Sequence, residues 1–233
     1  MIYVMADLHG EYGKYRAMLE QIGFGAEDTL YILGDVVDRG PHPMRILQDM
    51  ARRPNVIPIL GNHDAMARVL LRKLMVEVTA ENCETYIDMT LMRQIMDWQM
   101  NGSRSTMAEF RALSMFGKLD MLDYLDGFRL YAQVDIGERR FILVHAGLSG
   151  FDASRPMDSY TADELIFDRH DMDRVYFGDG RTLIVTGHTP TLALSGKAEI
   201  LRRGESICID CGAAFPGGRL ACLRLDDMVE FYV

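Results

Sequence analysis

Apolar and polar positions follow two periods over the first 60 residues. Ile2 to Ala6, Thr29 to Leu33 and Val56 to Leu60 are short apolar runs of strand length. Between the first two, Tyr15, Met18, Leu19 and Ile22 recur at helical spacing, which predicts a helix from Tyr12 to Ile22 ended by Gly23 and Gly25. Met44 to Ala51 reads as a second helix after the Pro41-His42-Pro43 break. Strand and helix in alternation predict parallel strands with right-handed crossovers.

From Ala65 to about Leu125 the strand pattern disappears. This stretch, rich in Met and Leu, predicts several helices broken near Asn101-Gly102. Its methionines read as a helical core around Trp98 rather than as an adaptable binding face. From Phe128 the strands return. Phe128 to Asp135 and Arg140 to Val144 flank Gly137 as an antiparallel hairpin. A short helix is expected near residues 162–167. Leu183 to Val185, Ile207 to Asp210, Arg219 to Leu225 and Val229 to Val233 read as strands. Glu138-Arg139-Arg140 and Leu201-Arg202-Arg203 read as solvated turns. The organisation expected is one α/β domain over residues 1–233 with a helical insert at about 65–125.

The chemistry lies where the apolar runs stop. Five strand ends carry polar groups: Asp7 and His9; Asp35, Asp38 and Arg39; Asn62 and His63; His145; and His188. In open α/β sheets ligands bind at that edge. A lone Asp-x-His at a turn more often makes local hydrogen bonds. Jointly the pattern is harder to dismiss: of six histidines, four directly follow an apolar strand, and only His42 and His170 do not. Carboxylate, imidazole and one amide oxygen suit a divalent ion such as Mn²⁺, Zn²⁺ or Fe²⁺. A bridging carboxylate would hold two such ions about 3.5–4 Å apart, the geometry of two-metal phosphoryl hydrolysis.

Charge and composition narrow the partners. The net charge of −9 argues against a nucleic-acid or anionic-membrane binder. No apolar run approaches the ~18 residues of a membrane span, and the N-terminal residues lack the pattern of a signal peptide. Four irregularly spaced cysteines fit a reducing cytoplasm. Cys208-Ile209-Asp210-Cys211 has CxxC spacing but lies in a strand-like stretch, so packing is expected there rather than redox or zinc chemistry.

The ordered series Asp-x-His-Gly, Gly-Asp-x-x-Asp-Arg-Gly, Gly-Asn-His-Asp, His-Ala-Gly and Gly-His-Thr-Pro resembles the calcineurin-like metallophosphoesterases. Within them it resembles the bacterial and phage phosphoprotein-phosphatase branch. Trp98 to Gly102 and Ile209 to Phe215 are similar to that group as well. The resemblance implies an α-β-β-α sandwich of mixed sheets with a helical insert. It implies that Asp7 and His9 hold a first metal, that Asp35 bridges, and that Asn62, His145 and His188 complete a second. A hydroxide between the metals would attack phosphorus, with no covalent phosphoenzyme. His63 would protonate the leaving oxygen, oriented by Asp38. Arg39, and Arg169 from the segment Ile166-Phe167-Asp168-Arg169, would grip the phosphate. Two divalent ions are implied, manganese before iron or zinc.

Details of the motifs bear on the substrate. Pro190 stands where nuclease, cyclic-nucleotide and purple acid branches carry a second His. Asp64 stands where most protein phosphatases have Glu and symmetrical diadenosine-tetraphosphate hydrolases often have Asp. Asp38, absent from some of those hydrolases, is retained. Ala6 and Ser103 replace two family glycines. The leading expectation is a phosphomonoesterase acting on phosphoserine or phosphothreonine in proteins, or on small phosphoesters. The alternative is symmetrical hydrolysis of diadenosine tetraphosphate. A catalytically inactive binding domain is set aside, because all six ligands and the His63–Asp38 pair are intact. A deep pocket beside the insert would favour the dinucleotide, and an open groove a phosphopeptide.

Overall fold

Five strands form the first sheet: β1 (Ile2–Met5), β2 (Thr29–Leu33), β3 (Val56–Ile59), β9 (Ala221–Arg224) and β10 (Val229–Tyr232), in the order β10-β9-β1-β2-β3. The computed structural model describes residues 1–77, 79–82 and 88–233; Cys83 lies outside the described residues. β1, β2 and β3 are parallel, joined by helices α1 (Tyr12–Gln21) and α2 (Pro43–Ala51). The second sheet comprises β4 (Tyr131–Ile136), β5 (Arg139–Val144), β6 (Thr182–Thr186), β7 (Leu201–Arg203) and β8 (Ser206–Cys208), in the order β4-β5-β6-β8-β7. β5, β6 and β8 are parallel there, and β4 and β7 pair antiparallel at the two edges. Both sheets are therefore mixed, as expected.

The strand period of two explains the layers. Val4, Leu33 and Leu223 of the first sheet share one buried cluster with Phe141, Leu143 and Val185 of the second. The alternate residues Tyr3, Met5 and Ile32 belong to another cluster with Tyr15 of α1 and Leu47 of α2. Ile142 and Ile184 on the far face of the second sheet join Leu165 of the short helix α7 (Ala162–Ile166). Each such burial contributes about 1.5–3 kcal/mol. Helices α3 (Asn62–Leu74), α4 (Met89–Met100), α5 (Arg104–Ala112) and α6 (Met115–Asp126) follow β3, and α8 (Thr191–Ser195) follows β6.

Three expectations need correction. Of Glu138-Arg139-Arg140 only Glu138 lies in the turn, because Arg139 and Arg140 open β5 and pair with Ile136 and Asp135. Leu201-Arg202-Arg203 is an edge strand rather than a turn. Arg202 pairs with Glu230 and Arg203 with Asp173 on its exposed side, and charged side chains on so short an edge are compatible with strand pairing. The methionines do not all form a core. Trp98, Met107 and Met121 are buried, but Met89, Met92, Met96 and Met100 are exposed. On α4 these four recur at helical spacing opposite the buried Leu91 and Trp98, so the helix is apolar on both faces. Among the described residues, no helix is long and apolar enough to cross a membrane.

Register brings the strand ends together. Met5 pairs with Ile32 and Leu33 with Ile59, so residues 7, 35 and 62 leave one edge. Leu143 pairs with Val185, which does the same for His145 and His188.

Candidate active site

The loops after β1 and β2 are tied by their own backbones. Asp7 N–H donates to Gly34 O (3.1 Å), and His9 N–H to Asp35 O (2.8 Å). The close approach leaves no room for side chains: a Cβ on Gly61 would lie 2.3 Å from Asp35 Oδ1, and one on Gly187 2.1 Å from Asp7 Oδ2. The turns are also strained. Asp7, His9, Asp35, Asp38, Arg39 and His188 have φ of +52°, +41°, +52°, +71°, +65° and +66°. Among described residues only one other non-glycine, Met228, has positive φ. Each such residue costs on the order of 1–3 kcal/mol, which the surrounding packing must offset.

Ligand-type atoms converge at two points that share Asp35. His145 Nε2 and His188 Nδ1 each lie 3.0 Å from Asn62 Oδ1 and 3.2 Å from each other. Asp35 Oδ1 is 3.4 Å from His145 Nε2. On the other side, Asp35 Oδ2 is 3.6 Å from His9 Nε2. The tautomers are set from behind: His145 Nδ1–H donates to Leu33 O (2.6 Å) and His9 Nδ1–H to Val37 O (2.9 Å). Each ring therefore turns a lone pair on Nε2 inward, as a metal ligand must. Burial lowers the His9 pKa to about 3 and the His188 pKa to about 4, with His145 adding to the second effect.

The carboxylates make the same case. Asp7 Oδ2 accepts from His188 N–H (2.9 Å), while its buried Oδ1 has no partner. Burial, then Asp210 and Asp35, push the Asp7 pKa well above the usual range. Burial works to raise Asp35 too, but His145, His63 and His9 hold it below the ordinary value. Clustered buried acids with an orphaned oxygen are costly unless a cation joins them. The donor set fits divalent ions.

His63 lies with His9 and Asp35 in one of the two groups that could hold a metal ion, but its ring is bonded to Asp38. Its Nδ1 lies 2.8 Å from Asp38 Oδ2, and its backbone N–H donates to Asp35 Oδ1 (3.0 Å). Burial disfavours its charged form, but the hydrogen bond to Asp38 and the charges of Asp35 and Asp38 outweigh this and raise the pKa above 6.5. Asp38 is fully buried. Trp98 Nε1–H donates to its Oδ2 (2.8 Å) and Thr106 Oγ1–H to its Oδ1 (2.6 Å). Arg39 places Nη1 2.6 Å from His9 Nε2 and Nη2 3.1 Å from His63 Nε2. Its Cζ lies 5.0 Å from the Phe215 ring centroid, within cation–π range. Its N–H donates to Gly102 O (2.9 Å).

Nine of the ten expected residues thus meet in one place. Arg169 is exposed, and its charge helps to lower the His188 pKa. His42 and His170 are bonded elsewhere: His42 to Glu109 (2.9 Å) and His170 to Ser206 (2.7 Å). Cys208 and Cys211 are buried free thiols whose pKa burial raises, as packing groups would be.

Three contributors were not assigned from the sequence. Trp98, a core residue, is also the donor that holds Asp38. Thr106 carried no signal. Asp210, buried beside Asp7 and Asp35, has its pKa pushed up to about 7 by burial, with Asp35 adding to the effect. It stands at the end of an apolar run, so the rule that found Asp7 could have found it. Asp64 has a structural role: Oδ1 accepts from Val36 and Val37 N–H (3.0 and 3.3 Å) and Oδ2 from Gly61 N–H (3.2 Å), tying the Asp35 loop to α3.

The family model described as calcineurin-like phosphoesterase matches residues 1–214. This chain belongs to the calcineurin-like phosphoesterases. Members of the family use divalent metals, in keeping with the His and Asp clusters above. A bis(5'-nucleosyl)-tetraphosphatase PrpE, asymmetrical, from Geobacillus thermodenitrificans is 26% identical over 258 residues, covering 100% of this chain and 93% of its own. A symmetrical bis(5'-nucleosyl)-tetraphosphatase from Acidovorax ebreus is 42% identical over 65 residues, 27% of this chain and 23% of its own. A crystal structure provisionally named a diadenosine tetraphosphatase superposes with a TM-score of 0.66 at 20% identity, covering 100% of this chain and 92% of its own. That last likeness shows the fold.

Proposed function

We propose that this phosphoesterase hydrolyses a dinucleoside polyphosphate, the reading that stood second on sequence grounds. The observation that carries it is the likeness to a bis(5'-nucleosyl)-tetraphosphatase along the entire chain. Phosphoserine or phosphothreonine hydrolysis is the second reading. Asp38 favours it, and the groove beside α3 and α4, with its exposed Phe167, is open enough to admit a peptide as well as a nucleoside. In either reading residues 1–233 act as one domain, with 65–125 as an insert beside the site.

Asp7 and His9 on one side and Asn62, His145 and His188 on the other would hold two divalent ions, with Asp35 shared. Such ions supply Lewis acidity and an ionised water nucleophile near neutral pH. The chain's own groups do the rest. His63 gives a proton to the leaving oxygen. Asp38 holds the ring and supports its charge, and Trp98 and Thr106 keep Asp38 in place. Arg39, steadied by Gly102 O and Phe215, binds phosphate oxygens in forked fashion. Arg169 does so from the rim.

The Asp38–His63 pair predicts a pH effect. The His63 pKa is raised above 6.5, so its acid form, and turnover that depends on it, are lost as pH rises through that raised value. Asp38→Asn removes much of the upward influence. The alkaline limb of the pH–rate profile is expected to move to lower pH. A limb that stays in place would remove His63 from the role of acid.

The substrate is tested with Mn²⁺-loaded protein on diadenosine tetraphosphate, a phosphoserine peptide and an aryl phosphate. Dinucleotide turnover should be the fastest. Two ADP molecules would mark symmetrical cleavage, and ATP with AMP asymmetrical cleavage. Fast peptide turnover with negligible dinucleotide cleavage would overturn the proposal.

A further inference from the structure

A groove of about 340 Å³ opens between α3, α4 and Phe167. Its volume lies in the range of small-molecule sites. We propose that it is a nucleobase site, with Phe167 as the stacking platform; this rests on the nucleotide reading above.

Continuity with the site comes from helix geometry. Ala65, Met66 and Val69 of the groove stand three, four and seven residues after Asn62 on α3. They continue the helix face that carries Asn62. The opposite wall is also anchored at the site. Ala146 N–H donates to Leu165 O (2.9 Å), which pins the end of α7 next to His145, and Ile166 is buried. Phe167 follows at once, 51% exposed, two residues before Arg169. An exposed aromatic face thus stands beside the aliphatic side chains of the groove, two residues before Arg169.

The lining selects the class of ligand. Ala65, Met66, Val69, Leu70 and Phe167 offer phosphate no partner, the carboxylate of Asp97 would repel it, and the remaining lining group, Gln94, is a neutral amide whose Oε1 accepts from Lys73 Nζ (3.0 Å). A base has the complementary properties: two apolar faces and an edge with amino donors. One face meets Phe167, the other meets Met66 and Val69, and Asp97 accepts from an amino group of adenine or guanine. The groove holds one nucleoside, so it reads one end of the substrate.

The test uses the full, Mn²⁺-loaded chain hydrolysing glycerol 2-phosphate, a reporter with no ring. ADP, pyrophosphate and a phosphoserine peptide with an apolar neighbour are compared as inhibitors. ADP should inhibit about tenfold more strongly than pyrophosphate, the size of one base–aromatic stack. Phe167→Ala and Val69→Glu, both at exposed positions, should each abolish that margin and leave reporter turnover within about twofold. Equal inhibition by ADP and pyrophosphate, or a margin that survives both variants, overturns the base site. A margin that appears for the peptide and not for ADP assigns the groove to a peptide side chain and also overturns it. If diadenosine tetraphosphate is not cleaved but the ADP margin is present and depends on Phe167, the proposed function fails and the base site stands.

Discussion

His63→Asn is expected to lower kcat by about 10²- to 10⁴-fold, the range of general acid catalysis, while the protein still binds its metal. The reason is the division of labour in the site. His63 Nδ1 is committed to Asp38 at 2.8 Å, and its backbone N–H, which the substitution keeps, holds Asp35. The loss should also depend on the leaving group. An alkoxide from phosphoserine needs its proton in the transition state, so a peptide should fall near the upper end. A nucleoside phosphate leaves well as an anion, so a dinucleotide should fall near the lower end. Steady-state kinetics on both substrates, with metal content measured by elemental analysis, checks this. Loss of metal from His63→Asn would make His63 a ligand, which its 4.8 Å ring contact with His9 makes worth testing.

Asp35→Asn should act differently. Asp35 is the group the two clusters share: Oδ1 faces His145 and Oδ2 faces His9. An amide keeps the shape but removes the charge and offers one ligand oxygen in place of two. Metal content should fall, and turnover should drop about 10³-fold or more, because the Lewis acidity of a bound metal is worth several kcal/mol. A variant that keeps wild-type metal content and turnover would show that Asp35 is not the shared carboxylate. Stability of the metal-free protein should fall as well: His145, His63 and His9 hold the Asp35 carboxyl below its ordinary pKa and its Oδ1 accepts from His63 N–H, so the folded state favours the charge that the amide lacks. Thermal unfolding of the metal-stripped protein measures that part separately.

The two variants also bear on what could be read before folding was considered. The strand ends were legible because acids and histidines interrupt apolar runs, an abrupt change in polarity that needs only local reading. Asp7, His9, Asp35, Asn62, His63, His145 and His188 all came from that rule. The substrate was less legible. The motif details pointed both ways, and the phosphoprotein reading put first now stands behind the nucleotide one. The face of α4 that carries Met89, Met92, Met96 and Met100 was misjudged, because apolar side chains on both faces of a helix look like core whichever face is covered.

From the sequence alone came the chemistry available: which acids, imidazoles and guanidinium stand at strand ends, and a helix break at Asn101-Gly102. Tertiary structure decided how those groups divide the work. Asp35 lies between two imidazole clusters because the parallel strands β1, β2 and β3 of one sheet and β5 and β6 of the other end beside one another. Asp38 serves His63 because Trp98 and Thr106, 60 and 68 residues further along the chain, aim their donors at it. The periodicity of Trp98 shows only that its ring is buried. Which buried acid its one N–H reaches depends on how the helices after β3 pack over the loop after β2, and no local pattern carries that information.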